Sequence, residues 1–277
     1  MTYHRRQRTL EKQLWRILTL IGVSLIAYSA NARHLKLYTY DIADVGSTVV
    51  TYTFDRVSGP KAGVAEGNPM LHEIEIEYAI NEHWMQSLYF DYDYSSSTTN
   101  FSGVREISSL KTEFNLPFSE KGKHFFDFRL NIEFSKALNS ETSAYGETDA
   151  ADTAEFRFIF EKNFENFTLI LGPMFVQNIG GPSDLGSPIY GFANALLFNV
   201  SDKIGATLEL HSFLGERSDL GRINNQSHVL VPNFDIRLTD SLGLSIGAGI
   251  GLTSVSDDFT LRVSFNYTFT PTRRRTL

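Results

Sequence analysis

The chain has 277 residues, with 25 Lys and Arg, 32 Asp and Glu, 7 His and no Cys. The formal net charge of −7 argues against a nucleic-acid partner, which requires a basic face, and the lack of Cys excludes disulfides, thiolate metal sites and cysteine nucleophiles. Aromatic residues make up 13% of the chain, and Phe and Tyr in that quantity favour β-strands and membrane boundaries.

Residues 1–32 have the pattern of a cleaved signal peptide. Five basic residues and one acid lie between Arg5 and Arg16, an uncharged apolar run extends from Ile17 to Tyr28, and small residues end the stretch at Ala32. This order is typical of secretory export, and the apolar run is shorter than the roughly 20 residues that span a bilayer. We expect cleavage after Ala32, which leaves a more acidic mature chain.

Residues 33–46 lie between the predicted cleavage site and the first predicted strand. Leu35, Leu37, Tyr38 and Tyr40 give this stretch apolar and aromatic character. We expect a periplasmic N-terminal segment with two placements open to it. It either pairs as an extra strand of the sheet that follows or enters the space which that sheet encloses.

The mature chain alternates between apolar and polar residues. Every odd position from Phe259 to Phe269 is apolar and every even position is polar. Successive side chains of a strand point to opposite faces, so that one face is apolar and the other is polar. Each alternating segment has about the length of a tilted transmembrane strand. The twelve predicted strands are 47–56, 71–80, 84–94, 104–116, 124–136, 153–163, 166–178, 188–200, 204–214, 227–239, 242–253 and 259–269.

The connections between these strands alternate in length. Short turns at 81–83, 118–123, 163–165, 201–203 and 240–241 alternate with longer connections at 57–70, 95–103, 137–152, 179–187, 215–226 and 254–258. Outer-membrane barrels combine short periplasmic turns with longer external loops, whereas a soluble sandwich or lipocalin-type barrel has no reason to do so. The prediction is therefore an all-β, antiparallel, up-and-down transmembrane barrel at 47–269, followed by a basic tail at 270–277.

Several phrases resemble a known family. They are Glu75 to Trp84, Tyr89 to Tyr92, Asn100 to Glu106, and the aromatic strand ending at Phe269. They are similar to small porin-like outer-membrane barrels of Gram-negative bacteria assigned to transport, some of them grouped with aromatic-degradation pathways. The resemblance implies a bacterial outer-membrane location and three kinds of partner: membrane lipid, the outer-membrane assembly machinery and a small solute. Eight residues follow Phe269, which departs from the family's aromatic ending.

If the apolar face meets lipid, the polar face lines the lumen. Thirteen acids and five bases then point inward, and an acid surplus favours cations over anions. Two interpretations are open: cross-barrel ion pairs around a hydrated lumen, or a packed salt-bridge plug. The candidate lumen residues are Glu73, Glu75, Glu77, Asp91, Asp93, Lys111, Glu113, Asp127, Arg129, Glu133, Arg157, Glu209, His211, Asp235, Arg237 and Arg262, with Asp55, Glu155 and Glu161 on the same face.

Two further features bear on the two faces. Gly243, Gly247, Gly249 and Gly251 lie on the polar face of the eleventh strand, where they leave room for a solute or an inserted segment, or mark a tight bend. The alternation places Phe128, Ile246, Leu261, Val263 and Phe265 towards lipid.

The favoured function is passive passage of a small, hydrophilic or weakly amphipathic solute through an acidic lumen. The alternatives are a plugged structural or adhesion barrel and a lipid-modifying hydrolase. A hydrolase requires a His close to a Ser, and His72 and His228 near the outer rim are the candidates, with Ser95 to Ser97 and Ser227. Because no His and Ser lie at a spacing that compels a catalytic pair, and the chain contains no metal-ligand spacing or phosphate loop, we expect no enzyme, no catalytic residues, no metal and no cofactor.

Overall fold

A computed structural model describes residues 37–59, 70–94, 109–137, 152–180, 188–216, 220, 222–223 and 226–270. The predicted signal peptide, residues 33–36 of the predicted periplasmic segment and residues 271–277 of the predicted tail lie outside these ranges. Within them, no helix is long and apolar enough to cross a membrane.

Antiparallel strands form one closed sheet. Strands that are adjacent along the chain pair with each other, except β7 with β8, and β1 closes the sheet against β13 through a continuous register from Thr48 opposite Phe269 to Ser58 opposite Phe259. The strands are β1 (Thr48–Ser58), β2 (Met70–Asn81), β3 (Trp84–Tyr94), β4 (Ser109–Pro117), β5 (Asp127–Ala137), β6 (Asp152–Asn163), β7 (Phe167–Leu171), β8 (Pro173–Gly180), β9 (Ile189–Ser201), β10 (Ile204–Glu216), β11 (Ser227–Arg237), β12 (Leu242–Gly251) and β13 (Phe259–Phe269).

The thirteen strands fill twelve positions of the wall, because β7 and β8 share one position. Both pair with β6 on one side and with β9 on the other, and only Gly172 separates them. The predicted twelve-stranded, antiparallel, all-β barrel is therefore confirmed. The prediction of one continuous strand at 166–178 is wrong at a single residue.

Gly172 interrupts this strand for a steric reason. A Cβ atom at Gly172 would lie 2.5 Å from the carbonyl oxygen of Ala193, so only glycine permits the close approach of β9. The next residue, Pro173, has no backbone N–H to donate to the sheet. The amide of Gly172 instead donates to Oδ1 of Asn194, at 3.1 Å.

The barrel is apolar outside and polar inside. Leu261 and Phe265 are exposed on β13, whereas Arg262 and Ser264 between them are buried. A soluble sandwich has the opposite arrangement, because water drives large apolar side chains inward. Exposed rows of large apolar residues around a closed sheet match the lipid-facing band of a transmembrane barrel.

The two ends of the barrel differ in their connections. At one end, which we call the turn end, the strands are joined by 82–83, 118–126, 164–166, 202–203 and 238–241. At the other end, the loop end, the connections are 59–69, 95–108, 138–151, 181–188, 217–226 and 252–258. The strict alternation predicted from the sequence is present, and the chain enters the barrel wall at the turn end.

Val263 provides a test of the lipid-facing surface. It lies at the centre of β13, on the outer face, opposite Phe54 and Ile246 of the neighbouring strands. We expect Val263→Arg to lower the free energy of unfolding by roughly 2–4 kcal/mol, because a charge near the bilayer midplane is poorly solvated. Denaturant unfolding in lipid vesicles measures this loss, with Val263→Leu as the control. A loss below about 1 kcal/mol would place Val263 outside the hydrocarbon region.

Candidate functional site in the barrel lumen

The inner wall carries most of the charged residues predicted for the lumen. Lys111, Asp235 and Arg237 are half-buried on the inner face, and Asp91 and Asp93 lie in β3 at positions whose side chains the structure does not describe. The remaining predicted residues are buried on the inner face; they are Glu73, Glu75, Glu77, Glu113, Asp127, Arg129, Glu133, Arg157, Glu209, His211 and Arg262.

Ion pairs connect part of this wall. Nε of Arg262 lies 3.0 Å from Oδ1 of Asp55, and Nζ of Lys111 lies 3.3 Å from Oε1 of Glu133. A further ion pair joins Arg157 to Glu155, and Nε2 of His211 forms a hydrogen bond with Oε2 of Glu209 at 2.6 Å. These contacts are local, between the same or neighbouring strands, so they rigidify the wall without filling the lumen.

The part of residues 33–46 that the structure describes runs inside the barrel. We call residues 37–46 the inserted segment. Its backbone is held on both sides of Tyr40: the amide of Tyr40 donates to Oε2 of Glu161 at 2.8 Å, and Arg129 Nη1 donates to the Tyr40 carbonyl oxygen at 2.7 Å. The Tyr40 hydroxyl donates to the carbonyl oxygen of Ser119 in the turn before β5. Of the two placements open from the sequence, the segment therefore takes the lumen.

Tyr38 lies at the deepest described contact of the inserted segment. Its Oη is 3.0 Å from Oε2 of Glu133 and 3.3 Å from Oε1 of Glu113. Its ring packs against an apolar patch of the inner wall and lies 4.4 Å from the guanidinium carbon of Arg157. The apolar patch consists of Ile159, Ile170, Ala195 and Leu197.

Sequence reasoning missed this apolar patch because it assigned every inward position to the polar face. The signal was present in β9, where Gly191, Ala193 and Ala195 alternate with larger residues. On that strand the three small side chains face inward together with Leu197, and larger side chains between them face outward. Alternation in size, with little alternation in polarity, therefore marks the part of the wall against which the inserted segment packs.

Two cavities flank the inserted segment. The larger, of about 510 Å³, lies between the segment and the walls formed by β1 to β3 and β9 to β13. The smaller, of about 300 Å³, lies between the segment, the turn at 82–83 and the turn-end parts of β4 and β5. Acids dominate the larger cavity, since Arg129 is the only Lys or Arg among its described lining residues. The acids are Asp41, Asp44, Glu77, Glu209, Asp235 and Asp240.

Lys121 connects the turn end to the inserted segment. Its ammonium forms an ion pair with Asp41 of the segment and lies 3.7 Å from Oε1 of Glu161. Partial burial lowers the pKa of Lys121, but the hydrogen bond with Asp41 and the charges of Glu161, Asp41 and Asp127 outweigh this effect. The pKa of Lys121 is therefore raised above its ordinary value.

The raised pKa of Lys121 predicts how its contribution varies with pH. Because the folded-state pKa exceeds the unfolded value near 10.5, the stabilisation is fully present below that pH and is lost as the pH rises through the folded pKa. We expect Lys121→Met to be less stable than the parent by a constant amount at neutral pH. Unfolding curves of both proteins should converge at a pH above the folded pKa, whereas a difference that persists there would indicate lost packing.

The glycines of β12 do not leave open space. A Cβ atom at Gly243 would lie 2.5 Å from Oδ1 of Asn266, and one at Gly247 would lie 2.8 Å from Oδ1 of Asn233. Polar side chains of the adjacent strands thus cover this wall. The predicted room for a solute or an inserted segment is therefore absent along this strand, and close packing of neighbouring side chains accounts for these glycines.

The two histidines considered for a hydrolase both lie on the outer face near the loop end. Nδ1 of His72 is 2.8 Å from the hydroxyl of Tyr52, and Nδ1 of His228 is 2.6 Å from Oγ of Ser212. Nε2 of His228 is buried without a hydrogen-bond partner among the described residues, so no carboxylate among them orients this ring as a catalytic triad requires.

Comparison with known proteins shows which fold this geometry defines. No protein-family model and no curated protein matches the sequence. A COG4313 outer membrane channel from Pseudomonas putida F1 is similar in structure, with a TM-score of 0.57, 12% identity, and coverage of 83% of this chain and 98% of that one. NanC porin has a TM-score of 0.53 at 8% identity, over 79% of this chain and 98% of its own. KdgM porin has a TM-score of 0.51 at 9% identity, over 80% and 99%.

The chain therefore has the fold of porin-like outer-membrane β-barrels. The resemblance seen in the sequence is confirmed at the level of the fold. At these identities the likeness concerns the backbone, so the function of this lumen has to be argued from its own side chains.

Proposed function

We propose that this protein is an outer-membrane channel for the passive passage of a small solute, with a preference for cations. The fold and the apolar outer band support an outer-membrane location, and the short turns at one end favour an orientation in which the turn end and the inserted segment face the periplasm. The three similar structures reported above, all with TM-scores above 0.5, are named as a channel or as porins, which supports the same class of function.

The single observation that carries this proposal is the acidic cavity beside the inserted segment. Six acids and one Arg line it, and its volume of about 510 Å³ admits a small hydrated solute. Carboxylates lining a constriction lower the energy of a cation there and raise that of an anion, because the low-dielectric wall weakens screening. The acidic lining therefore favours permeation by cations and neutral molecules.

The apolar residues among the lining further restrict the solute. Leu37, Ile42, Val49, Met85 and Leu197 contribute to the same cavity as the acids. A passage with both kinds of surface accommodates weakly amphipathic molecules, which present an apolar side to these residues and a polar side to the carboxylates. We therefore propose a small hydrophilic or weakly amphipathic solute.

Ion selectivity in planar bilayers tests this proposal. We expect the reversal potential under a KCl gradient to show a preference for K⁺ over Cl⁻. Glu209→Gln combined with Asp235→Asn should weaken that preference, because both acids line the larger cavity. Glu120→Gln is the matched control, since this acid lies exposed in the turn before β5 and pairs with Lys123.

Two outcomes would contradict the channel proposal in different ways. A preference for Cl⁻ would mean that the arginines of the wall, such as Arg129, control the constriction. No measurable conductance, either in the parent or after removal of the inserted segment, would favour the plugged structural or adhesion barrel.

A second candidate function rests on the hydrogen bond between Ser212 and His228. A serine bonded to a histidine is the minimal arrangement for attack on an acyl ester, although Ser212 is fully buried on the outer face. If the barrel is a lipid-modifying hydrolase, purified protein should release fatty acid from phospholipid vesicles, and Ser212→Ala should abolish the release. The lack of a described orienting partner for His228 makes the channel the favoured function.

A further inference from the structure

Three glutamates of the inner wall meet at mid-height of the barrel. Carboxylate oxygens of Glu75, Glu77 and Glu113 all lie within 4.8 Å of one another. Glu75 and Glu113 are fully buried, and Glu77 is 6% exposed. The cluster is formed by β2 and β4 across β3, which is why the spacing of these residues in the sequence does not reveal it.

A buried hydroxyl lies between these carboxylates. Ser87 of β3 stands opposite Glu77 of β2 and opposite Lys111 of β4, all on the inner face. Glu75 and Glu113 are the diagonal neighbours of Ser87 on that face, so its side chain is directed into the cluster. Ser87 is fully buried, and its Oγ has no hydrogen-bond partner among the described residues. A buried hydroxyl without a partner calls for a ligand that the described residues do not supply.

The bases beside the cluster are shared with carboxylates outside it. The nearest base in the register, Lys111, also pairs with Glu133 and lies 4.1 Å from the centre of the Tyr89 ring. The hydroxyl of Tyr89 donates to Oε1 of Glu75, which is a neutral contact. Arg129 interacts electrostatically with Glu113 and also with Glu161 and Asp41. Carboxylates that share their bases in this way attract a further cation.

We propose that Glu75, Glu77, Glu113 and Ser87 bind a divalent metal ion of the Ca²⁺ type. Oxygen ligands lie about 2.4 Å from Ca²⁺, so that ligands on opposite sides of one ion are about 4.8 Å apart. The three carboxylates meet this limit, and a set of carboxylates with a hydroxyl is the hard-oxygen chemistry that Ca²⁺ selects. Mg²⁺ fits less well, because it requires shorter distances and a regular octahedron.

Two tyrosines allow metal binding at this site to be measured by luminescence. Tyr89 bonds Glu75 and Tyr38 bonds Glu113, so two phenol rings lie beside the proposed ion. Tb³⁺ replaces Ca²⁺ at oxygen sites and emits when a nearby tyrosine is excited. We expect purified barrel in detergent to give this emission. Added Ca²⁺ should displace Tb³⁺ with an apparent dissociation constant of about 10⁻⁵ to 10⁻³ M, as weaker protein sites do.

Variants separate the proposed site from general attraction to an acidic lumen. Glu75→Gln and Glu113→Gln should each weaken Ca²⁺ binding by about tenfold or more, because affinity follows the number of charged ligands. Ser87→Ala, which removes one neutral oxygen, should weaken it less. Glu209→Gln is the matched control, since it removes a buried inner-face carboxylate from the opposite part of the wall and should leave Ca²⁺ affinity unchanged.

Three results would overturn the proposal. They are a parent protein without Ca²⁺-displaceable emission, Glu75→Gln and Ser87→Ala variants that bind as tightly as the parent, and a site that methylammonium occupies more tightly than Ca²⁺. The third result would assign the cluster to an organic cation. Circular dichroism verifies folding, and Ser87→Ala decides the question if the glutamine variants do not fold. The measurement does not require conduction, so it is independent of the proposed channel function.

Discussion

A barrel that lacks residues 37–44 is expected to conduct K⁺ several-fold better than the parent protein. These residues occupy the lumen at the turn end and form one wall of both cavities. A barrel of twelve strands encloses more space than its own side chains fill, so that an inserted segment controls the remaining cross-section. Single-channel recording in planar bilayers measures the change, and the preference for K⁺ should persist because Glu209 and Asp235 remain in place.

Point variants in the inserted segment separate the effect of its hydrogen bonds to the wall from the effect of the space it occupies. Tyr38→Ala combined with Tyr40→Phe removes the hydroxyl contacts to Glu133, Glu113 and the Ser119 carbonyl, and the variant should switch between conductance levels as the segment detaches. Thr39→Ala is the control, because its hydroxyl contacts only the neighbouring Asp41 carbonyl in the described bonds. Unchanged conductance after deletion of 37–44 would show that the constriction lies elsewhere, for example at the loop end.

The barrel itself could be predicted because its physics is local. A strand with one face in lipid and one in a polar lumen must alternate at every residue, and β13 does so without exception from Phe259 to Phe269. The order of short and long connections then fixes the antiparallel path. The first signal is present in any stretch of about ten residues, and the second lies in the spacing of those stretches along the chain. The structure adds the closing register between Thr48 and Phe269, which no local pattern contains.

The contents of the lumen could not be predicted in the same way. Tyr38 contacts Glu113 and Glu133 across a sequence separation of 75 and 95 residues, and nothing local marks those partners. The meeting of Glu75 with Glu113 likewise depends on the stagger of three neighbouring strands. Alternation tells which side chains point inward, but only closure of the sheet decides which of them meet.

The break at Gly172 shows a limit of a different kind. The alternation of β7 and β8 continues in phase across this residue, since Ile170 and Met174 are both buried on the inner face. Periodicity therefore predicts one unbroken strand there. The interruption arises from the close approach of the Ala193 carbonyl oxygen, a contact made by a strand that is separated from it in sequence.

Loss of the ion pair between Asp55 and Arg262 is expected to have the largest effect on stability. The two residues face each other between the first and last strands, so they join the edges that close the barrel. Both are 3% exposed, and two contacts connect them, Nε to Oδ1 at 3.0 Å and Nη2 to Oδ2 at 3.3 Å. Removing one partner leaves an uncompensated buried charge, which costs roughly 3–5 kcal/mol. We therefore expect Arg262→Leu to lower the free energy of unfolding by about this amount.

The double variant separates the cost of an unpaired Asp55 carboxylate from the coupling energy of the ion pair. Asp55→Leu with Arg262→Leu should be more stable than Arg262→Leu alone, because no buried charge then lacks a counterion. Unfolding of all four members of the cycle in detergent measures the coupling energy. The exposed pair of Lys123 and Glu120 in the turn before β5 is the control, and its removal should cost no more than about 1 kcal/mol. If Arg262→Leu costs as little as this control, water in the lumen must solvate Asp55, and the closing strands would then be held by backbone hydrogen bonds and lipid-facing contacts alone.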